Sequence, residues 1–211
     1  MVRKDLKDFI KTIPENITTV VASKYLSDLE IREMYEQGLT NFGENRTDAF
    51  LEKYLKLQDL DITWHFIGHL QRNKCKDVIN KIDYLHSLDS LDLAKQIEKY
   101  RSTPIKTFIE VSINLEESKN GVPYYEALNF VKEALKFSKI EIVGLMMMAV
   151  KGSLNTEEQF AKLAHLKQEI EKELNIKLPY LSMGMSDDYL SAIKAGTTHI
   201  RLGRILLEKE D

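Results

Sequence analysis

The feature that most constrains this chain is an alternation. Short β-branched or apolar runs recur eight times between residues 18 and 202, with amphipathic segments between most of them. The runs are Thr18–Ala22, Asn41-Phe42, Trp64–Ile67, Tyr84–Ser87, Thr107–Val111, Glu141–Met146, Tyr180–Ser182 and His199–Leu202. The amphipathic segments are Arg46–Leu57, Leu91–Tyr100, Tyr124–Lys136, Thr156–Leu174 and Asp187–Ala195. Thr18-Thr19-Val20-Val21-Ala22 is apolar at its centre, the pattern of a strand buried on both faces. Helix boundaries are also written locally. Ser27 and Glu30, and again Asn155 and Glu158, have capping-box spacing, while Gly38 and Gly196 stand where helices end. Alternating strands and helices call for a parallel sheet, and eight such units in about 200 residues are the count of a small (β/α)₈ barrel. Periodicity alone leaves an open, doubly wound sheet as the alternative. The four prolines (Pro14, Pro104, Pro123, Pro179) are scattered and form no linker. The expectation is one domain over residues 1–211, with residues 1–17 as an N-terminal helix and lead-in.

Composition narrows the function classes. Lys plus Arg is 30 and Asp plus Glu is 33, a net charge of −3 without a basic block, which argues against nucleic acid as a partner. No apolar run approaches the roughly 18–20 residues of a membrane helix, and the first residues lack the core of a signal peptide. Cys75 is the one cysteine, which excludes an internal disulfide and fits a reducing, cytoplasmic setting. Gly-x-Gly-x-x-Gly and the phosphate loop with Gly-Lys-Ser/Thr are absent, which weakens nucleotide binding.

In a barrel, polar residues at the strand C-termini line the active face. The candidates are Ser23-Lys24, Gly43-Glu44-Asn45, Gly68-His69, Ser87, Asn114, Met147, Ser182–Ser186 and Arg201–Arg204. Lys24 leads because a lysine ending an apolar strand is expected to be partly desolvated, which frees a nucleophilic amine. A solvated lysine opening a loop is the plainer alternative. Near the C-terminus, Ser182-Met183-Gly184-Met185-Ser186 precedes an apparent helix, and Arg201-Leu202-Gly203 follows. Phosphate-binding barrels use the loops after the seventh and eighth strands, and these are those loops. An N-cap serine and a C-cap glycine would account for the same residues. His65 and His69 are four apart, but Gly68 between them argues for a strand and loop, so no metal site is expected. Cys75, between Lys74 and Lys76, has no paired base and reads as inert. Met146-Met147-Met148 reads as core or pocket wall.

Seven motifs occur in order: Val21-Ala22-Ser23-Lys24, Phe42-Gly43-Glu44-Asn45, Trp64 to Asn73-Lys74, Ser118-Lys119-x-Gly121, Gly144-Leu145-Met146, Leu181 to Ser186, and Arg201-Leu202-Gly203. Together they closely resemble the pyridoxal 5′-phosphate (PLP) homeostasis protein family, relatives of the N-terminal barrel of bacterial alanine racemase, from about Thr18 to Leu207. The resemblance implies PLP bound as an aldimine to Lys24, with Arg201 facing the pyridine nitrogen and Asn45 beside the ring. Ser186 with the backbone of Met185, and Gly203 with Arg204, would hold the phosphate. A cationic Arg201 disfavours ring protonation and leaves a weak electron sink. There are three departures from the family pattern: Val21-Ala22 is inverted, Arg204 replaces a hydroxyl residue, and Ile205-Leu206-Leu207 lacks the closing glycine.

The expected activity is intracellular PLP holding and release to apo PLP-dependent enzymes rather than catalysis. Two-sided proton exchange needs an acid/base group on each face of the cofactor. Barrel racemases take the second from a further domain, for which a chain ending at Asp211 has no room, and Asp28 stands where they carry a tyrosine. A small PLP-dependent amino-acid racemase or lyase is the alternative, with His65, His69 or His199 as its acid/base groups. A monomer is expected, with a weak dimer as the alternative.

Overall fold

A computed structural model describes residues 1–113, 120–149 and 155–208. In chain order the elements are α1 (Leu6–Lys11), β1 (Thr18–Ala22), α2 (Asp28–Glu36), β2 (Asn41–Glu44), α3 (Thr47–Lys56), β3 (Thr63–Phe66), α4 (Cys75–Val78), β4 (Tyr84–Leu88) and α5 (Leu91–Tyr100). Then come β5 (Ile105–Ser112), β6 (Val122–Pro123), α6 (Ala127–Ala134), β7 (Ile140–Met146), α7 (Thr156–Leu174), β8 (Tyr180–Met185), α8 (Tyr189–Lys194) and β9 (His199–Leu202). All pairings between these strands are parallel. β1 pairs with both β2 and β9, and β4 pairs with β5, so eight strands close on themselves while β6 lies outside the ring on β5. Closure excludes the open sheet. The fold is a (β/α)₈ barrel.

The local signals act as their chemistry requires. Ser27 Oγ accepts from the Glu30 N–H while Glu30 Oε2 accepts from the Ser27 N–H at 2.9 Å, so two orphan donors of α2 are satisfied reciprocally. Asn155 Oδ1 accepts from the Glu158 N–H at 2.7 Å to start α7. The Tyr124–Lys136 segment begins as a 3₁₀ turn, and α8 begins at Tyr189, two residues later than expected.

The core has two compartments. Side chains between the strand ring and the helices form the main one, with Leu6, Ile31, Phe42, Phe50 and Phe160 fully buried. Phe108, Val143 and Met146 form a separate cluster, against which Tyr84 and Tyr180 pack. His86 stacks on Phe108 with centroids 4.4 Å apart, and His65 stacks on Tyr84 at 4.6 Å. His199 approaches Tyr180 edge-on at 4.9 Å. An aromatic and imidazole filling thus replaces the branched aliphatics usual at such positions. Met146 and Met147 are buried as expected; Met148 is 48% exposed and belongs to neither core nor wall. Among the described residues, no helix is long and apolar enough to cross a membrane.

Candidate functional site

Lys24 sits in a 3₁₀ turn, Ser23–Tyr25, directly after β1. A buried carboxylate bolts that turn down. Glu44, at the end of β2, is fully buried and pairs with Lys53 Nζ at 2.5 Å. Lys53 also donates to the Ser23 carbonyl at 2.6 Å, and Ser23 Oγ lies 3.3 Å from Glu44 Oε2 and 3.1 Å from the Gly43 carbonyl. The other carboxylate oxygen, Oε1, accepts from the Asn45 N–H at 2.7 Å. One ion pair therefore fixes the backbone after two neighbouring strands, β1 and β2. Anchoring Ser23 inward turns the next residue outward, and this corrects the expected desolvation. Lys24 is exposed, with Nζ 4.7 Å from the centre of the Tyr25 ring. Its hydrogen bond and charge hold the Tyr25 phenol below the usual tyrosine range, with Arg204 adding to the effect.

Asn45 is wedged against β3. A Cβ on Gly68 would lie 2.3 Å from the Asn45 carbonyl oxygen, so only glycine admits this approach. Asn45 Oδ1 is buried and has no hydrogen-bond partner among the described residues. Such an acceptor marks a place where a ligand group would fit.

The loops after β8 and β9 meet through Ser186. Its Oγ accepts from the N–H groups of Gly203 at 3.3 Å and Ile205 at 3.4 Å. A Cβ on Gly203 would meet Ala22 Cβ at 3.5 Å, an ordinary contact, so protein packing does not demand glycine there. The Met185 N–H is engaged by Asp188 Oδ1 at 2.6 Å, and Arg204 pairs with Asp187 at 2.8 Å on the surface. α8 has six residues and starts at Tyr189, so Ser186 lies in the loop before it and not at a helix N-terminus.

Arg201 stands on β9, whose register sets Val20 of β1 beside it. It is 5% exposed; NH1 donates to Ser182 Oγ at 2.6 Å and NH2 to the Met147 carbonyl at 2.9 Å. Burial lowers its pKa to about 10, opposed by the charges of Glu110 and Asp188. Three of its five N–H donors have no partner among the described residues.

Two residues that sequence reasoning missed lie in this region. His86 reaches Ser182 Oγ at 2.8 Å from inside the ring. Glu110, near the end of β5, is 4% exposed; burial and the charge of Asp89 raise its pKa to about 7, against the pull of Arg201 and His69. A glutamate within the apolar run Thr107–Val111 was the available signal.

β8, β9, β1 and β2 are consecutive around the ring; they and the loops that follow them carry Ser186, Arg201, Gly203, Lys24 and Asn45. Other candidates fall elsewhere. Ser87 is buried and donates to the Gly68 carbonyl at 2.5 Å. His69 pairs with Asp89 at 2.9 Å beside a cavity of about 730 Å³ that also touches Gln71, Arg72 and Asn120, away from Lys24. His65 and His199 are buried within the ring; burial pushes His65 well below its usual range and His199 to about 4. Burial also pushes the Cys75 thiol up to about 12, in keeping with an inert residue. Asn114, Ser118 and Lys119 lie outside the described residues.

Fold and site together define a barrel of the alanine racemase N-terminal domain type, whose family model matches residues 15–209. The structure is similar to PipY of Synechococcus elongatus, solved with PLP bound, with a TM-score of 0.90 at 29% identity, covering 97% of this chain and 99% of that one. An alanine racemase from Clostridium difficile shares the fold alone, with a TM-score of 0.77 at 15% identity, over 99% of this chain and 58% of that one. In sequence, the chain is 40% identical over 190 residues to the pyridoxal phosphate homeostasis protein of Aquifex aeolicus, covering 88% of this chain and 83% of that protein. It is 30% identical over 210 residues to the protein of that name from Escherichia coli, covering 94% and 88%. The chain belongs to the pyridoxal phosphate homeostasis protein family.

Proposed function

We propose that this chain binds PLP through Lys24, holds it at the barrel mouth and releases it to apo PLP-dependent enzymes in the cytoplasm. The observation that carries the reading is Arg201, a buried cation with three N–H donors that have no partner among the described residues, on the strand beside the one that delivers Lys24. The buried Asn45 Oδ1, without a partner among the described residues, and the glycine at 203, which protein packing leaves unexplained, fit the same ligand. When bound, PLP supplies an aldehyde that condenses with an amine, releasing water, and a ring that withdraws electrons. The protein's own groups orient and anchor it. Lys24 offers an exposed amine; Arg201 would donate toward the ring nitrogen, Asn45 would lie beside the ring, and Ser186 and Gly203 would hold the phosphate. Met185 joins them once Asp188 releases its N–H, and Arg204 adds charge only by leaving Asp187.

Ser186→Ala is expected to weaken PLP binding by about 1.5–3 kcal/mol, one hydrogen bond to a charged group. Titration by absorbance measures it, with pyridoxal as control. Equal affinity for pyridoxal and PLP would place the phosphate elsewhere.

Exposure of Lys24 suits a holder, because a free amine on a client or in solution can reach the bound aldehyde carbon. Glu110, with a pKa of about 7, is the one observation that favours the racemase or lyase alternative. The two readings separate in heavy water. Incubation with L- and D-alanine is expected to give α-proton exchange at the rate of free PLP, while mixing with an apo PLP-enzyme restores that enzyme's activity. Exchange well above free PLP, abolished in Glu110→Gln, would overturn the holder reading.

A further inference from the structure

Arg201 rests on a row of buried side chains that crosses the inside of the ring. Arg201 NH1 is 2.6 Å from Ser182 Oγ, which is 2.8 Å from His86 Nδ1. His86 Nε2 is 2.9 Å from His65 Nδ1, and His65 Nε2 is 3.0 Å from Asn41 Oδ1 at the opposite end of the barrel. Ser182, His86 and His65 are fully buried. The row draws on β9, β8, β4, β3 and β2, so it spans most of the ring.

The two ends fix the direction of every proton. A guanidinium only donates, and a carbonyl oxygen of an amide only accepts. Asn41 Nδ2 is turned to Thr40 Oγ1, 3.3 Å away, which leaves Oδ1 for His65. His65 therefore carries its proton on Nε2 and accepts at Nδ1, so His86 donates from Nε2 and accepts at Nδ1. The Ser182 hydroxyl then donates to His86 while its oxygen accepts from Arg201. In this direction each imidazole nitrogen along the row is used once, and the Ser182 proton has a partner; in the reverse direction it has none among the described residues. Burial favours the neutral form of both imidazoles, and the neighbouring charge of Arg201 adds to the effect at His86.

We propose that Ser182, His86, His65 and Asn41 are positioning residues for Arg201, a one-way hydrogen-bond row that locks its guanidinium as a donor toward the PLP ring nitrogen. The row rests on the reading of the site as a PLP site. Every proton in it points away from the mouth. No group along it can pass a proton up to the ring nitrogen unless all of its bonds reverse, so the ring nitrogen stays unprotonated and the bound cofactor stays a weak electron sink. Holding without turnover follows from the barrel interior as well as from the mouth.

The test has two arms. In the full-length protein without PLP, long-range ¹H–¹⁵N NMR is expected to show both His65 and His86 protonated at Nε2 alone; a proton on Nδ1 of either overturns the row. In the second arm, PLP affinity is compared among wild type, His86→Phe and His86→Gln, with folding checked by circular dichroism. Gln keeps one acceptor and one donor, whereas Phe keeps only the ring that stacks on Phe108. Phe is expected to weaken PLP binding roughly tenfold and Gln to recover most of the loss, since one hydrogen bond to a charged group is at stake. Asn41→Leu, remote from the mouth, is expected to shift the ¹⁵N resonance of bound ring-labelled PLP. Wild-type affinity in folded His86→Phe overturns this inference and leaves the PLP reading standing. Failure of wild type itself to bind PLP overturns both.

Discussion

Replacing Lys24 with alanine is expected to abolish all PLP that borohydride can fix to the chain, the largest single effect of any substitution at this site. In wild type the label should appear on the peptide containing Lys24, because its amine is exposed at the mouth and free of any carboxylate partner among the described residues. Lys53, the other lysine joined to this turn, is 12% exposed in its side chain and already shared between Glu44 and the Ser23 carbonyl. A nucleophile needs a free lone pair, which an ammonium in that pairing lacks. Lys53→Met is therefore a control that should act on stability: it strands a buried carboxylate, at a cost of about 3–5 kcal/mol. Weak, phosphate-anchored binding of PLP should survive in Lys24→Ala, visible by dialysis but not by reduction. A label on Lys53, Lys74 or Lys119 would overturn the assignment.

The outline of this molecule was legible because a parallel strand covered on both faces reads as a largely apolar run, unbroken at the centres of β1 and β7 and interrupted by His86 in β4 and Arg201 in β9. The run at Thr18–Ala22 reproduces β1 to the residue, and the segments at Leu91–Tyr100 and Thr156–Leu174 reproduce α5 and α7. α4, at four residues, and β6, at two, are too short for any period to register. Closure was not legible, since it depends on β1 pairing with β9 nearly the whole chain away. The site divides in the same way. Lys24, Asn45, Ser186, Arg201 and Gly203 were marked by their places at strand ends. Glu110 and His86 lie within apolar strands that mask them, and their partners are distant; Ser182 lies 96 residues from His86, and His65, visible in the sequence, meets His86 from 21 residues away. The expected desolvation of Lys24 failed for a related reason. Whether a strand's last residue turns in or out was settled by Glu44 and Lys53, which belong to other elements.

Acidification is expected to destabilise the fold between pH 6.5 and 4, and the barrel interior is the cause. His199 has a pKa of about 4 in the folded chain against 6.5 for a free histidine imidazole, so the unfolded chain binds more protons throughout that interval. Stability is full above pH 6.5 and falls as pH drops toward 4, and the 2.5-unit difference amounts to about 3 kcal/mol. Glu110 works in the opposite sense. Its folded pKa of about 7 lies above the 4.5 of a free glutamate, so its contribution is full below pH 4.5 and is lost as pH rises through 7. The two shifts are similar in size and nearly cancel over the shared window. His65 and His86, both held well below 6.5 by burial, then decide the balance, and both favour unfolding in acid. Urea unfolding at pH 7, 6, 5 and 4.5 should give a falling free energy, and the fall should be steeper in Glu110→Gln, which lacks the offset. Stability that stays level or rises toward pH 4.5 in wild type would mean that the histidines are not buried as neutral partners. A variant slope no steeper than wild type would mean that Glu110 is not the raised carboxyl.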